Sequence, residues 1–149
     1  MGFNYRMSNV LAAIGRAQLQ RLDSMIARRR ELRERYATIC ETVSGVRVFQ
    51  RDGDGTDNCW LTALLIDPQE AGFQPGMLAK ALSASEIETR PLWKPMHAQP
   101  LFAGQRSFLT GAADHLFQIG LALPSGSALT SREIARVEGT ITAFLSDRG

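Results

Sequence analysis

From Asn9 to Val43 the apolar residues return at helical intervals. In the second half of this stretch Leu22, Met25, Ile26, Leu32, Tyr36, Ile39 and Val43 fall at steps of three, four and seven, the stripe of an amphipathic helix. In the first half Val10, Leu11, Ala13, Ile14, Ala17 and Leu19 cover a wider arc, so burial on more than one side is expected there, with Gly15 open to close approach by a neighbour. Ser8 or Asn9 suits the N-cap, because either side chain can accept from a free amide of the first turn. Gly45 suits the stop. A helix over about 9–44 exceeds the usual globular length, which leaves one long connector or two helices.

Beyond it the period shortens. VRVFQ (46–50) and CWLTALLI (59–66) are rich in residues that suit a pleated sheet and flank the turn-like RDGDGTDN, which predicts an antiparallel pair. Pro75 stands at a plausible first helical position for GMLAKALSAS, with Met77, Leu78, Ala81 and Leu82 on the apolar side. IETRPLW (87–93) reads as an edge strand, since Pro91 has no N–H for a central ladder. KPMHAQPLFAG is loop or broken helix. AADHLFQIGLAL (112–123) is apolar enough for burial and ends at the turn LPSG. Thr130 and Glu133 have capping-box spacing ahead of Ile134, Val137, Ile141, Phe144 and Leu145, so the chain closes on an amphipathic helix. The order helix, strand, strand, helix, strand, loop, helix predicts an α+β domain with helices packed on a short antiparallel sheet. The expected division is a long helix at about 9–44 and an α+β body at about 45–149.

Composition narrows the class without identifying it. The 149 residues are 44% hydrophobic and 21% charged, which argues against disorder, and no stretch approaches a membrane span. No apolar run follows a basic start, so a secretory signal is not expected and the cytoplasm is the expected location. Cys40 and Cys59 lack zinc or disulfide-framework spacing and read as reduced, buried thiols. Arg28, Arg29, Arg30, Arg33 and Arg35 crowd one segment and raise the question of nucleic acid. The interleaved Glu31 and Glu34 favour a solvated helix face or a subunit contact instead.

The common catalytic patterns are absent: no phosphate loop, dinucleotide fingerprint, nucleophile elbow or metal-spaced cluster. His97 and His115 are 18 positions apart, and no acid neighbours His97 in sequence. Each alone reads as a satisfied histidine. His115 follows Asp114, more in the manner of a helix start than of a catalytic dyad. Lysine occurs only at Lys80 and Lys94. Lys80 falls on the polar side of a short helix and Lys94 in a loop, neither a setting for an amine desolvated for Schiff-base chemistry.

One segment carries a family resemblance. GFNYRMSNVLAAIGRAQLQRLD, Gly2 to Asp23, resembles the segment that follows the cofactor domain in the DegT/DnrJ/StrS sugar aminotransferases: Asn-Tyr-Arg ahead of a helix of the form "AA-I-G-x-x-QL". Gly2, Asn4, Tyr5, Arg6, Met7, Ala12, Ala13, Gly15, Gln18 and Leu19 fit that pattern. Arg29 and Arg30 stand at the family's basic pair and Tyr36 at its aromatic. RPLWKPMHAQPLF and LALPSGSALT resemble later family segments, so the likeness spans nearly the whole chain.

The resemblance implies the C-terminal domain of a fold-type I aminotransferase that uses pyridoxal phosphate and works as a homodimer, moving an amino group from glutamate to a keto sugar on a nucleotide. It implies cofactor-binding roles for Asn4 and Arg6, reaching the partner subunit's site, and a substrate-side position for His97 with Trp93 and Lys94. Among the family's large-domain groups is the Schiff-base lysine, so the cofactor domain is expected to be absent here and the chain alone to be inactive. Exposed apolar surface on the first helix half is expected to drive association. A non-catalytic sensor or binding module of the same ancestry is the alternative. Which sugar, which carbon and which pathway are served is not readable from these residues.

Overall fold

The computed structural model describes residues 5–50 and 53–148. The stretch expected at 9–44 is two helices, α1 (Asn9–Leu19) and α2 (Leu22–Cys40), separated at Gln20 and Arg21. Ser8 caps α1 by accepting from the Leu11 amide at 3.3 Å. The two helices have opposite environments. Leu32, Tyr36 and Cys40 of α2 are buried, whereas none of α1 is, and a Cβ on Gly15 would meet open space rather than the close neighbour expected there.

Four strands, β1 (Val46–Val48), β2 (Thr62–Ile66), β3 (Arg90–Pro91) and β4 (Gly120–Leu123), form an antiparallel sheet in the order β1-β2-β4-β3. The expected pairing of the first two strands holds, with Val46 opposite Ile66. Pro91 does sit on an edge strand. The second strand starts at Thr62 rather than Cys59 because the chain before it is turned: Asp57 Oδ1 accepts from the Cys59 amide, Asn58 Oδ1 accepts from the Trp60 amide, and Cys59 takes φ 49°.

The stretch 112–123 is the larger correction. It divides into helix α5 (Ala112–Ile119) and strand β4, which lies inside the sheet between β2 and β3. Gly120, at φ −96° and ψ 141°, changes the backbone from helical to extended at the junction.

Alternate residues of β2 and β4 face opposite sides. Leu64, Ile66, Leu121 and Leu123 join the main core with α2, α4 (Pro75–Ala84) and α6 (Ser131–Ser146). A short helix, α3 (Pro68–Ala71), connects β2 to α4. Helix α4 buries Pro75, Leu78 and Leu82, whereas Met77, expected on its apolar side, is exposed. Helix α6 has the expected capping box and buries Ile134, Val137, Ile141 and Leu145.

The arginine run of α2 serves internal contacts. Arg28 pairs with Glu31 at 2.8 Å, and Arg30 donates to the Gly55 and Asp57 carbonyls at 2.7 and 2.8 Å. Arg33 reaches Asp57 Oδ2 at 2.9 Å, and Arg35 makes two 2.6 Å bonds to Glu138 of α6. These guanidiniums tie the 53–58 turn and α6 to α2, where a solvated face or subunit contact was expected. Tyr36 completes the link from below, its hydroxyl donating to the Pro124 carbonyl at 2.9 Å. Burial raises the Tyr36 hydroxyl above its usual range and pushes the Cys40 thiol up to about 12.

Candidate functional site

The residues singled out from sequence fall in two places. Asn4 lies outside the described residues, and Arg6 stands on the exposed lead-in to α1. Trp93, Lys94 and His97 follow β3 on one short segment, positioned by its backbone chemistry. A Cβ on Gly120 would overlap the Leu92 side chain, so only glycine leaves the notch on β4 into which Leu92 fits. Buried Pro95 then leads into the 3-10 turn Met96–Ala98, and Pro100 opens a second at Pro100–Phe102. The Gln99 side-chain amide donates back to the Lys94 carbonyl at 3.3 Å, closing the segment on itself.

His97 is not alone. Its Nε2 lies 3.0 Å from both carboxylate oxygens of Asp114, in the first turn of α5. The acid that sequence did not supply beside His97 comes from 17 positions downstream. Asp114 and His115 do mark a helix start, as expected, but Asp114 also fixes the imidazole of His97. Two oxygens at equal distance hold Nε2 and leave Nδ1 as the ring nitrogen not committed to this carboxylate. An imidazole so oriented can donate to or accept from a hydroxyl.

Trp93 and Lys94 are exposed, Trp93 by 69%. Trp60, which sequence reading passed over, stands beside Trp93 with ring centroids 6.1 Å apart and planes inclined by 31°. Its only sequence signal was an indole following Asp57 and Asn58, two residues that form local turns. Against Trp93 opens a groove of about 660 Å³, bounded by Leu61, Ile87, Leu92 and Val137, with Glu86, Glu88, Arg90, Glu133 and Arg136 as its charged lining. That volume is in the range of small-molecule sites.

Lys80 and Lys94 are both exposed, the setting of hydrated ammonium groups. Among the described residues there is therefore no desolvated lysine. No group of three or more His, Cys, Asp or Glu among them is arranged to hold a metal ion, and no helix is long and apolar enough to cross a membrane. The described candidate groups are an imidazole oriented by Asp114, a pair of neighbouring indoles and a groove of mixed charge beside Trp93.

Residues 1–142 match the DegT/DnrJ/EryC1/StrS aminotransferase family. The Bacillus subtilis (strain 168) protein EpsN, provisionally named a pyridoxal phosphate-dependent aminotransferase, is 41% identical over 141 residues, which cover 92% of this chain and 36% of EpsN. The GDP-perosamine synthase of Escherichia coli O157:H7 is 31% identical over 99% of this chain and 39% of its own length. Among solved structures, DesI in the presence of its TDP-sugar product superposes with a TM-score of 0.82 at 26% identity, over 97% of this chain and 37% of that one. The chain thus spans less than two-fifths of the length of these relatives. Their overlap with it confirms the α+β fold as that of a portion of an aminotransferase.

Proposed function

The chain belongs to the DegT/DnrJ/EryC1/StrS aminotransferase family, and on that premise we propose that it is the C-terminal portion of a pyridoxal-phosphate-dependent enzyme that moves an amino group from glutamate to a keto sugar carried on a nucleotide. The observation that carries this reading is the likeness over 99% of the chain to a GDP-perosamine synthase, a relative named for a nucleotide sugar.

In this reading Asn4 serves the cofactor phosphate in the partner subunit of a homodimer, and Arg6 lies beside the cofactor or the substrate there. An amide donates to a phosphate oxygen, and a planar guanidinium forms paired bonds to phosphate or carboxylate. His97, held at Nε2 by Asp114, offers Nδ1 to a sugar hydroxyl or phosphate. Trp93 covers a ring face and Lys94 supplies positive charge beside it. Pyridoxal phosphate, when bound, supplies the electron sink for amino-group transfer. The described lysines do not fit its attachment, since both are exposed. This chain's own part is therefore binding and orientation, and it is inactive by itself.

The experiment adds pyridoxal phosphate and borohydride to the isolated chain and maps any covalent product by mass spectrometry. No specific, stoichiometric modification of Lys80 or Lys94 is expected; one at either lysine overturns the account of the missing lysine. In a protein that joins this chain to a large cofactor domain, Arg6→Ala is expected to weaken cofactor retention, and His97→Ala to raise KM for the nucleotide sugar about ten-fold, the value of one lost charge-assisted contact. Unchanged retention and an unchanged KM reject the assigned roles.

A further inference from the structure

Trp60 and Trp93 are large apolar side chains left in solvent, 60% and 69% exposed, yet each is displayed by backbone that is fixed from below. Trp60 follows Cys59, which is fully buried and holds φ 49°, a left-handed conformation costly for a residue with a Cβ. That conformation is maintained from several directions. Asp57 Oδ1 accepts from the Cys59 amide and Asn58 Oδ1 from the Trp60 amide, while Arg30 and Arg33 of α2 grip Asp57. Burial raises the Cys59 thiol, consistent with an anchoring rather than a reactive group. Trp93 is set by the adjoining Leu92, seated in the notch at Gly120. Two independent backbone devices therefore bring two indoles to 6.1 Å.

The rings do not close on each other. Their planes are inclined by 31°, and more than half of each side chain faces water, so a flat ring can lie against them. The groove beside Trp93 has an apolar floor and a charged rim. In that charged lining, which also holds Glu86, Glu88 pairs with Arg90, and Glu133 is held by Thr130 with Arg136 near enough to help lower its carboxyl, so Arg136 presents its positive charge beside a carboxylate already engaged by Thr130. An aromatic surface next to a guanidinium suits a ligand with a planar heterocycle at one end and phosphate at the other.

We propose that Trp60 and Trp93 form a stacking platform for the heterocyclic base of a nucleoside diphosphate, with Arg136 facing its phosphates. This rests on the nucleotide-sugar reading above and extends it to Trp60 and Arg136, which that reading left unassigned. The platform recognises the carrier, and His97 meets the sugar.

The protein reports on this site directly, because Trp60 and Trp93 are its only tryptophans. Titration of the chain with UDP, GDP or TDP, followed by tryptophan fluorescence, is expected to give saturable quenching. Trp60→Leu and Trp93→Leu each leave the other indole as reporter and are expected to weaken binding about ten-fold, the usual scale of one base-aromatic stack. Far-UV circular dichroism confirms that each variant is folded, and Trp60→Phe, which keeps an aromatic face, is expected to restore most of the affinity. No quenching at millimolar nucleotide, or equal quenching by a free hexose, overturns the platform. So does a folded Trp60→Leu that binds as the parent does. Nucleotide binding without amino transfer in the protein joined to a cofactor domain retains the platform and removes the catalytic reading. Amino transfer with an unchanged KM in Trp60→Leu does the reverse.

Discussion

Helices α1 and α6 are both written as amphipathic helices, but only one of them has found its partner. In α6 Ile134, Val137, Ile141 and Leu145 are buried against the sheet and α4, and the Thr130–Glu133 box closes its first turn. In α1 Val10, Leu11, Ile14 and Leu19 are all more than half exposed, although Ser8 caps it and its apolar content is higher. Each helix has a side-chain cap at its N-terminus, a single bond in α1 and a reciprocal box in α6. What differs is the surface opposite: α6 has the sheet, and α1 faces none of the described residues closely enough to be buried. An amphipathic face thus records that a partner is required, and only the fold says where it is.

The sharpest test of this contrast replaces one apolar residue in each helix. Ile141→Ala is expected to cost about 2–5 kcal/mol in urea unfolding, because its side chain is lost from a packed core. Leu11→Ala is expected to stay within about 0.5 kcal/mol, as for other exposed substitutions. Light scattering supplies the complement: the parent chain is expected to associate as its concentration rises, and a Leu11→Asp, Ile14→Asp double variant to remain monomeric. A parent that is monomeric at high concentration, or a Leu11→Ala as damaging as Ile141→Ala, breaks the comparison.

The next effect concerns a place where two elements touch too closely for a methyl group. Gly120→Ala drives a Cβ into the Leu92 side chain, and the displacement is expected to cost about 1–3 kcal/mol. The same change on Gly15, where there is open space, is expected to leave stability unchanged or raise it slightly. Thermal unfolding of the two variants separates a glycine that packs from one that waits for a neighbour.

These contrasts explain how far the sequence was readable. Periodicity found α6, the β1–β2 pair and the edge position of Pro91, because each depends on residues close together in the chain. It missed β4, whose four residues continue an apolar run begun by α5, so that the period changes at Gly120 without any polar break. The same limit governed the site. Trp93, Lys94 and His97 are neighbours in sequence, but Asp114 meets His97 from the far side of a loop, and Trp60 meets Trp93 from the turned segment ahead of β2. The arginines of α2 were visible as a cluster, whereas their acceptors at 55, 57 and 138 were not. Resemblance named the family from Gly2 to Asp23, the segment that the folded domain itself does the least to explain.

Buried acids give a smaller, pH-dependent contrast between core and surface. The Cys40 thiol is pushed from 9.0 up to about 12, so in alkali the thiolate forms first in the unfolded chain. Stability is therefore full below about pH 9 and declines as pH rises through the interval toward 12. Tyr36, raised in the same direction, adds to the decline from above its ordinary range. Urea midpoints measured across this interval are expected to fall, and Cys40→Ala is expected to flatten the early part of that fall. A midpoint that rises with pH there contradicts the burial of these groups.

The smallest effect returns to the helix ends. In α6 Thr130 Oγ1 accepts from the Glu133 amide at 3.3 Å, and Glu133 Oε2 accepts from the Thr130 amide at 2.8 Å. The Thr130 hydroxyl also donates to Glu133 Oε2 at 2.7 Å, and that bond, followed by the one from the Thr130 amide, holds the Glu133 carboxyl below its usual range. Thr130→Ala removes the hydroxyl and is expected to cost about 1 kcal/mol of global stability, because the end of α6 is fixed by the core that follows it. Ser8→Ala removes the equivalent cap from α1, where no core follows. There the loss is expected to appear as faster amide exchange confined to α1, with the urea midpoint unchanged. If Ser8→Ala shifts the global midpoint as far as Thr130→Ala does, α1 is coupled to the core in solution, and its exposed face already has a partner within the chain.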